Sequence, residues 1–136
     1  MKRLGIFGGT FDPIHLGHLF IAEEAREELQ LEEVLFGPAR DPPHRPIEPS
    51  ASAEDRLEMV RLAIAGNARF AESGIELARP GPSYTVDTLQ AIREEQPEAE
   101  IFFIVGTDSV PELPNWHDPE GILRLAHLVA VERGGR

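Results

Sequence analysis

Gly8-Gly9-Thr10-Phe11-Asp12-Pro13-Ile14-His15-Leu16-Gly17-His18 is the stretch that decides how this chain is read. It follows the apolar run Leu4 to Phe7 and leads directly into residues with helical spacing, so it reads as strand, glycine-rich turn and helix N-terminus. The paired glycines allow backbone dihedrals closed to other residues and a close approach to a ligand. Unpaired amides and the positive end of the helix dipole would then form a phosphate cradle. His15 and His18 are three apart and share one face of the first helical turn, with Gly17 between them leaving room for an anion. A neutral imidazole donates one hydrogen bond and a protonated one two, so the pair reads as phosphate donors rather than proton acceptors. A zinc site would need about four ligands, and the chain has no cysteine and no further histidine close in sequence. Helix capping by the two imidazoles remains a structural alternative, although it leaves the glycines unexplained. The turn matches neither G-x-x-x-x-G-K-[ST] nor G-x-G-x-x-G.

Working outward, 136 residues make one domain, long enough to bury about two-thirds of its unfolded surface. The net charge of −11 repels a polynucleotide, so a nucleotide site must make its own local positive field. Lys2, Arg3, His15, His18, Arg40, His44 and Arg45 are the residues expected to supply it. No signal-peptide pattern opens the chain and no apolar run reaches membrane-span length, so a cytoplasmic protein without membrane contact is expected.

Strand one is read as Arg3 to Phe7. Helix one runs from about His15 to Leu29, with Leu16, Leu19, Phe20, Ala25 and Leu29 as its apolar stripe. Glu33 to Phe36 is a second strand, and the proline-rich Ala39 to Ser50 is a loop too long to be idle. Ser52-x-x-Asp55 resembles a capping box, and the helix it opens buries Leu57, Val60 and Ile64 before Gly66. Arg69 to Ala71 and Gly74 to Leu77 read as short strands. Thr85 to Gln96 is a third helix with Val86, Leu89 and Ile92 inward. Ile101 to Val105 is an uninterrupted apolar run, expected of a strand covered on both faces. Asp118-Pro119 starts a last helix, and His127 to Val131 is the last strand, with His127 a packed structural residue.

Alternating strands and helices predict an α/β fold, Rossmann-like and doubly wound, with a mostly parallel sheet. Ligands of such sheets bind beyond the carboxyl ends of the strands. Gly8 to His18, Gly37 to Pro46, Gly106 to Ser109 and the segment after Val131 all follow strands, and would converge on one edge.

H-x-G-H after G-G-T-F-D-P resembles the signature of the nucleotidylyltransferase superfamily, and the whole string is most similar to that of the bacterial nicotinate-nucleotide adenylyltransferases. The related phosphopantetheine adenylyltransferases usually carry threonine where His15 stands. The resemblance implies adenylyl transfer from ATP to nicotinate mononucleotide, giving nicotinate adenine dinucleotide and pyrophosphate, with Mg2+ on the ATP phosphates. It implies His15 and His18 as catalytic residues, and an ATP site of Gly8, Gly9, Thr10, Phe11, His15, His18, Gly106, Asp108 and Arg133. Pro42-Pro43-His44-Arg45 resembles the family's P-P-H-[KR] loop, and Pro82-Ser83-Tyr84-Thr85 its P-S-Y-T segment. These imply that Thr10, His44, Arg45, Thr85, Val86, Trp116 and His117 bind the mononucleotide. Thr85 and the Val86 amide would hold the pyridine carboxylate, Trp116 would stack on the ring, and His117 would offer a backbone amide. Helix capping by Ser83 or Thr85 and a core role for Trp116 are the structural alternatives. Asp108, in the family's G-x-D-S, would accept from two ribose hydroxyls. Arg133-Gly134-Gly135 departs from the usual R-P-G, and His117 stands where the family often has tyrosine.

The family's S-x-T-x-I-R motif has no counterpart in the 136 residues, so the domain is expected to lack the usual C-terminal part. Two other readings stay open: another adenylyltransferase such as the phosphopantetheine enzyme, or a non-catalytic nucleotide-binding module. Metal preference and oligomeric state are left open, a homo-oligomer included.

Overall fold

The computed structural model describes residues 2–40 and 49–132. In chain order these residues form β1 (Arg3–Gly9), α1 (Leu16–Leu29), β2 (Glu33–Pro38), α2 (Ala53–Ile64), β3 (Phe70–Glu72), α3 (Thr85–Glu95) and β4 (Glu100–Gly106). A 3-10 helix (Thr107–Asn115), α4 (Pro119–Leu125) and β5 (His127–Val131) complete them. Every strand pair is parallel and the order across the sheet is β3-β2-β1-β4-β5. The chain winds outward from β1 in one direction and from β4 in the other, so the switch point lies between those two strands.

Successive strand residues point to opposite faces, and both faces are apolar. Phe7, Val34, Phe36, Phe102 and Ile104 pack with α1 and α2 residues, whereas Leu4, Ile6, Ile101, Phe103 and Val105 pack with Leu89, Ile92 and Ile122. The unbroken apolar run of β4 is therefore two interleaved core faces. Burying each such side chain stabilises the fold by about 1.5–3 kcal/mol.

The apolar stripe of α1 differs from the expected one. Its buried residues are Ile21, Ala22 and Ala25, while Leu16 is 81% exposed and Phe20 43%. Leu19 and Leu29 of the expected stripe are partly buried against the same core. A Cβ on Gly5 would lie 2.8 Å from Leu31 Cδ1 and 3.0 Å from Ile104 Cδ1, so those two side chains fill the space over β1.

Three further expectations change. Gly74 to Leu77 is a turn, closed by Leu77 N–H to Gly74 O at 3.0 Å, and β3 at the sheet edge is the short Phe70–Glu72 alone. His127 lies on the opposite edge strand, its side chain 60% exposed. It stacks on Phe102 at 4.8 Å and faces Glu100 Oε2 at 2.9 Å, because no neighbouring strand covers β5 among the described residues. Lys2 and Arg3 stand at the amino end of β1, paired with Glu33 and Glu100. Leu4 to Phe7, at about 3.3 Å per residue, separate them from the glycine turn, so they add nothing local to its field.

Candidate active site

β1 ends in Gly8-Gly9 and β4 in Gly106, on either side of the switch point at the carboxyl edge. His15 is the N-cap of α1 and is extended at φ −145°. Its Nδ1 accepts from the Gly17 amide at 3.1 Å, and His18 Nδ1 accepts from the His15 amide at 3.0 Å. The two rings lie 3.9 Å apart, tilted by 31°. Two leading amides that the sequence reading left unpaired are therefore taken by the histidines themselves. This is the capping alternative, and it carries a chemical consequence. A ring accepting at Nδ1 carries its proton on Nε2, so the hydrogen-bond network assigns both imidazoles as Nε2–H donors. The positive end of the helix is presented through the rings instead of the bare backbone. Gly17 serves this geometry directly, since a Cβ there would lie 2.9 Å from His15 Cε1.

The turn ahead of the histidines is held from below. Phe11 adopts φ 52°, and its ring is 2% exposed, set edge-on to Phe7 at 5.5 Å and to His18 at 5.0 Å. Any contact it makes with a ligand is through backbone. Asp12 accepts from the amides of Ser50 at 2.6 Å and Ala51 at 3.1 Å. Arg56, 1% exposed, donates from Nη1 to Thr10 O at 2.9 Å and Ala39 O at 2.6 Å, and from Nε to Ala51 O at 3.1 Å. One buried guanidinium thus joins the glycine turn to both ends of the stretch after β2. Sequence reasoning missed it, although Arg56, Val60 and Ile64 fall at i, i+4 and i+8 on the stripe facing the core.

On the other side of the sheet, Tyr84 is the N-cap of α3 and makes no side-chain cap bond. The cap position is thus neither Ser83 nor Thr85. The Tyr84 ring stacks on His117 at 4.3 Å, which joins α3 to the end of the 3-10 helix. His117 therefore has a side-chain contact that its place in the motif did not suggest. Trp116 is half-buried with its ring 5.9 Å from Phe103, packed against the α3–α4 core. Asp108 is exposed on the 3-10 helix, and a Cβ on Gly106 would lie 2.8 Å from its Oδ1.

Behind α3 lies a polar network unmarked in the sequence. Glu76, 7% exposed, accepts from Thr88 Oγ1 at 2.6 Å. Thr88 Oγ1 in turn accepts from Arg79 Nη2 at 2.9 Å. The Ser83 hydroxyl also bonds Glu76 and accepts from the Arg40 amide at 2.9 Å. Burial pushes the Glu76 carboxyl up to about 7, against the opposing pull of the Thr88 hydroxyl, the Arg79 charge and the Ser83 hydroxyl. His44, Arg45 and Arg133, expected at the site, lie outside the described residues.

The cytidylyltransferase-like family model matches residues 6–134. The chain belongs to that family. A protein of Thermomicrobium roseum named probable nicotinate-nucleotide adenylyltransferase is 53% identical over 135 residues, 99% of this chain and 63% of that protein. One of the same name from Synechococcus sp. (strain JA-3-3Ab) is 48% identical over 132 residues, 97% of this chain and 64% of the relative. The chain thus spans less than two thirds of these relatives' length. The fold matches that of the Plasmodium falciparum nicotinic acid mononucleotide adenylyltransferase complexed with NaAD. The TM-score is 0.84 at 20% identity, over 98% of this chain and 66% of the other. No helix among the described residues is long and apolar enough to cross a membrane.

Proposed function

We propose that residues 1–136 form a single nucleotidylyltransferase-like domain that serves adenylyl transfer from ATP to nicotinate mononucleotide. The observation that carries this reading is the histidine pair at the carboxyl edge, each ring held as an Nε2–H donor by the backbone of α1. The names of the curated relatives at about half identity support the substrate assignment.

In this reading an oxygen of the mononucleotide 5′-phosphate attacks the α-phosphorus of ATP in line. The bond from that phosphorus to the bridging oxygen breaks, and pyrophosphate leaves. The attacking phosphate is already an anion, so no protein nucleophile is needed. The protein orients two polyanions and offsets their repulsion. His15 and His18 donate to triphosphate oxygens as charge shifts toward the leaving group, beside the backbone of Gly8, Gly9, Thr10 and Phe11. Asp108 accepts from the ribose hydroxyls next to Gly106, and Arg133 faces the triphosphate. Thr10, His44 and Arg45 hold the mononucleotide phosphate. The uncapped start of α3, at Thr85 and Val86, receives the pyridine carboxylate between Trp116 and His117. Orientation supplies roughly 7–11 kcal/mol, and one well-aimed donor about 2.7–4 kcal/mol.

Mg2+ fits as a companion of ATP. No three His, Asp or Glu side chains converge as a metal cage among the described residues, and magnesium keeps water and substrate oxygens as ligands. It would neutralise charge on the phosphates. We place the protein in the cytoplasm, where ATP is abundant, with no nucleic-acid partner for a chain of net charge −11; self-association as a homo-oligomer is part of the same proposal.

Pyrophosphate release from ATP and nicotinate mononucleotide tests the reading. His18→Ala should lower kcat by about 100–1,000-fold while mononucleotide binding changes little; equal losses in both sink the transition-state role. A product formed from phosphopantetheine instead would move the chain to the related enzyme.

A further inference from the structure

We infer that the Glu76 carboxylate is a positioning group for mononucleotide binding. Through the Ser83 and Thr88 hydroxyls it keeps the end of β2, at Arg40, in register with the leading end of α3. The inference rests on the reading of that helix start as the mononucleotide site.

The argument is one of hydrogen-bond direction. Ser83 Oγ accepts from the Arg40 amide, and Thr88 Oγ1 accepts from the Arg79 guanidinium, at 2.9 Å each. A hydroxyl has a single proton. Both hydroxyls direct theirs at Glu76, Thr88 at 2.6 Å. Two N–H→O–H→carboxylate relays therefore meet on one side chain, and both run in the correct sense only when that side chain is an acceptor. An ionised carboxylate accepts from both hydroxyls at once, whereas a neutral carboxyl keeps only its carbonyl oxygen as a full acceptor, and if it donates to Thr88 that hydroxyl turns to Tyr84 O at 3.4 Å. Thr88 lies in the leading turns of α3, just past Thr85 and Val86. Ser83 immediately precedes the Tyr84 N-cap whose ring stacks on His117.

Two charged groups face this network. Arg79 comes from the same turn as Glu76 and favours its ionised form. Arg40 comes from the end of β2, and its Nη1 donates to Leu77 O at 2.7 Å, one residue from Glu76. From α3 the facing group is the Thr88 hydroxyl. Burial opposes the ionised form. A carboxylate kept here works against stability while it orders two segments beside the site, which is expected of a positioning group and not of a structural one.

The test compares the chain with its Glu76→Gln variant, which keeps the shape and removes the charge. Calorimetric titration with nicotinate mononucleotide should show the variant binding about fivefold more weakly near pH 8, with the ratio falling toward one near pH 6. Taking the ratio cancels titration of the ligand's own phosphate. In the absence of ligand, hydrogen exchange should show lower protection of the Arg40 amide in Glu76→Gln near pH 8. Ser83→Ala should lower the same protection and weaken binding similarly. Equal affinities near pH 8, a ratio indifferent to pH, or unchanged Arg40 protection each overturn the inference. A parent chain that binds no mononucleotide at either pH overturns the reading of the site; binding that ignores Glu76 overturns this inference alone.

Discussion

Among the described residues two charged side chains are buried in this protein, Arg56 at 1% exposure and Glu76 at 7%. They approach the same residue from opposite sides. Arg56 donates to Arg40 O at 3.4 Å as the weakest of its carbonyl contacts, while Glu76 reaches the Arg40 amide through Ser83. Arg56 works directly on backbone carbonyls from the glycine turn and from either end of the stretch after β2. Its charge does not titrate in any usable range. Glu76 works through hydroxyls and titrates near neutrality. The glycine-turn side of the candidate site is therefore clamped by a permanent charge, whereas the start of α3 is backed by a carboxyl that titrates.

The sharpest way to break that contrast is Arg56→Met. It leaves Thr10, Ala39 and Ala51 carbonyls without their partner, and urea unfolding should show a loss of about 3–5 kcal/mol. A loss below about 1 kcal/mol would reduce Arg56 to a packing residue.

Glu76 supplies the next largest effect. Burial holds its folded pKa at about 7, above the ordinary carboxyl value of 4.5. The folded state then binds the extra proton between those values, so the contribution to stability is fully present below 4.5 and is lost as pH rises through 7. Unfolding measured against pH should show a decline of about 3 kcal/mol from this group over that window. Glu76→Gln should remove the decline, and a variant with the parent's slope would place the titration elsewhere.

Asp12→Ala frees the Ser50 and Ala51 amides and should cost about 1–2 kcal/mol by thermal unfolding. An unchanged melting temperature would show that Arg56 alone holds this end of the stretch. Smallest is His117→Ala, which removes the stack on Tyr84. About 0.5–1.5 kcal/mol of mononucleotide affinity should go with it, read by titration, with pyrophosphate release affected through KM more than kcat.

Local signals made much of this legible. Elements such as Glu33–Pro38, Thr85–Glu95 and His127–Val131 announced themselves through apolar period and through Gly, Pro and Ser punctuation. Ser52 caps α2 by accepting from the Asp55 amide at 3.1 Å, as its spacing predicts. Errors fell where an alternation was real but its cause was not pairing. Gly74-Ile75-Glu76-Leu77 alternates like a strand, yet Glu76 turns inward to Thr88 of α3 and to Ser83 just ahead of that helix. Leu16 and Phe20 have the spacing of a core stripe, yet the helix turns Ile21, Ala22 and Ala25 to the sheet and leaves those two in water.

What the order of residues determined by itself is the strand–turn–helix unit and the alternation that winds it into a parallel sheet. Those depend on dihedral freedom, hydrophobic period and helix termini, all set within a few neighbouring residues. Tertiary structure alone decided which arginine is buried and which carboxylate lies behind α3. Each of these is a matter of hydrogen-bond direction between groups distant in the chain, and such direction exists only once the partners have been brought together and removed from water.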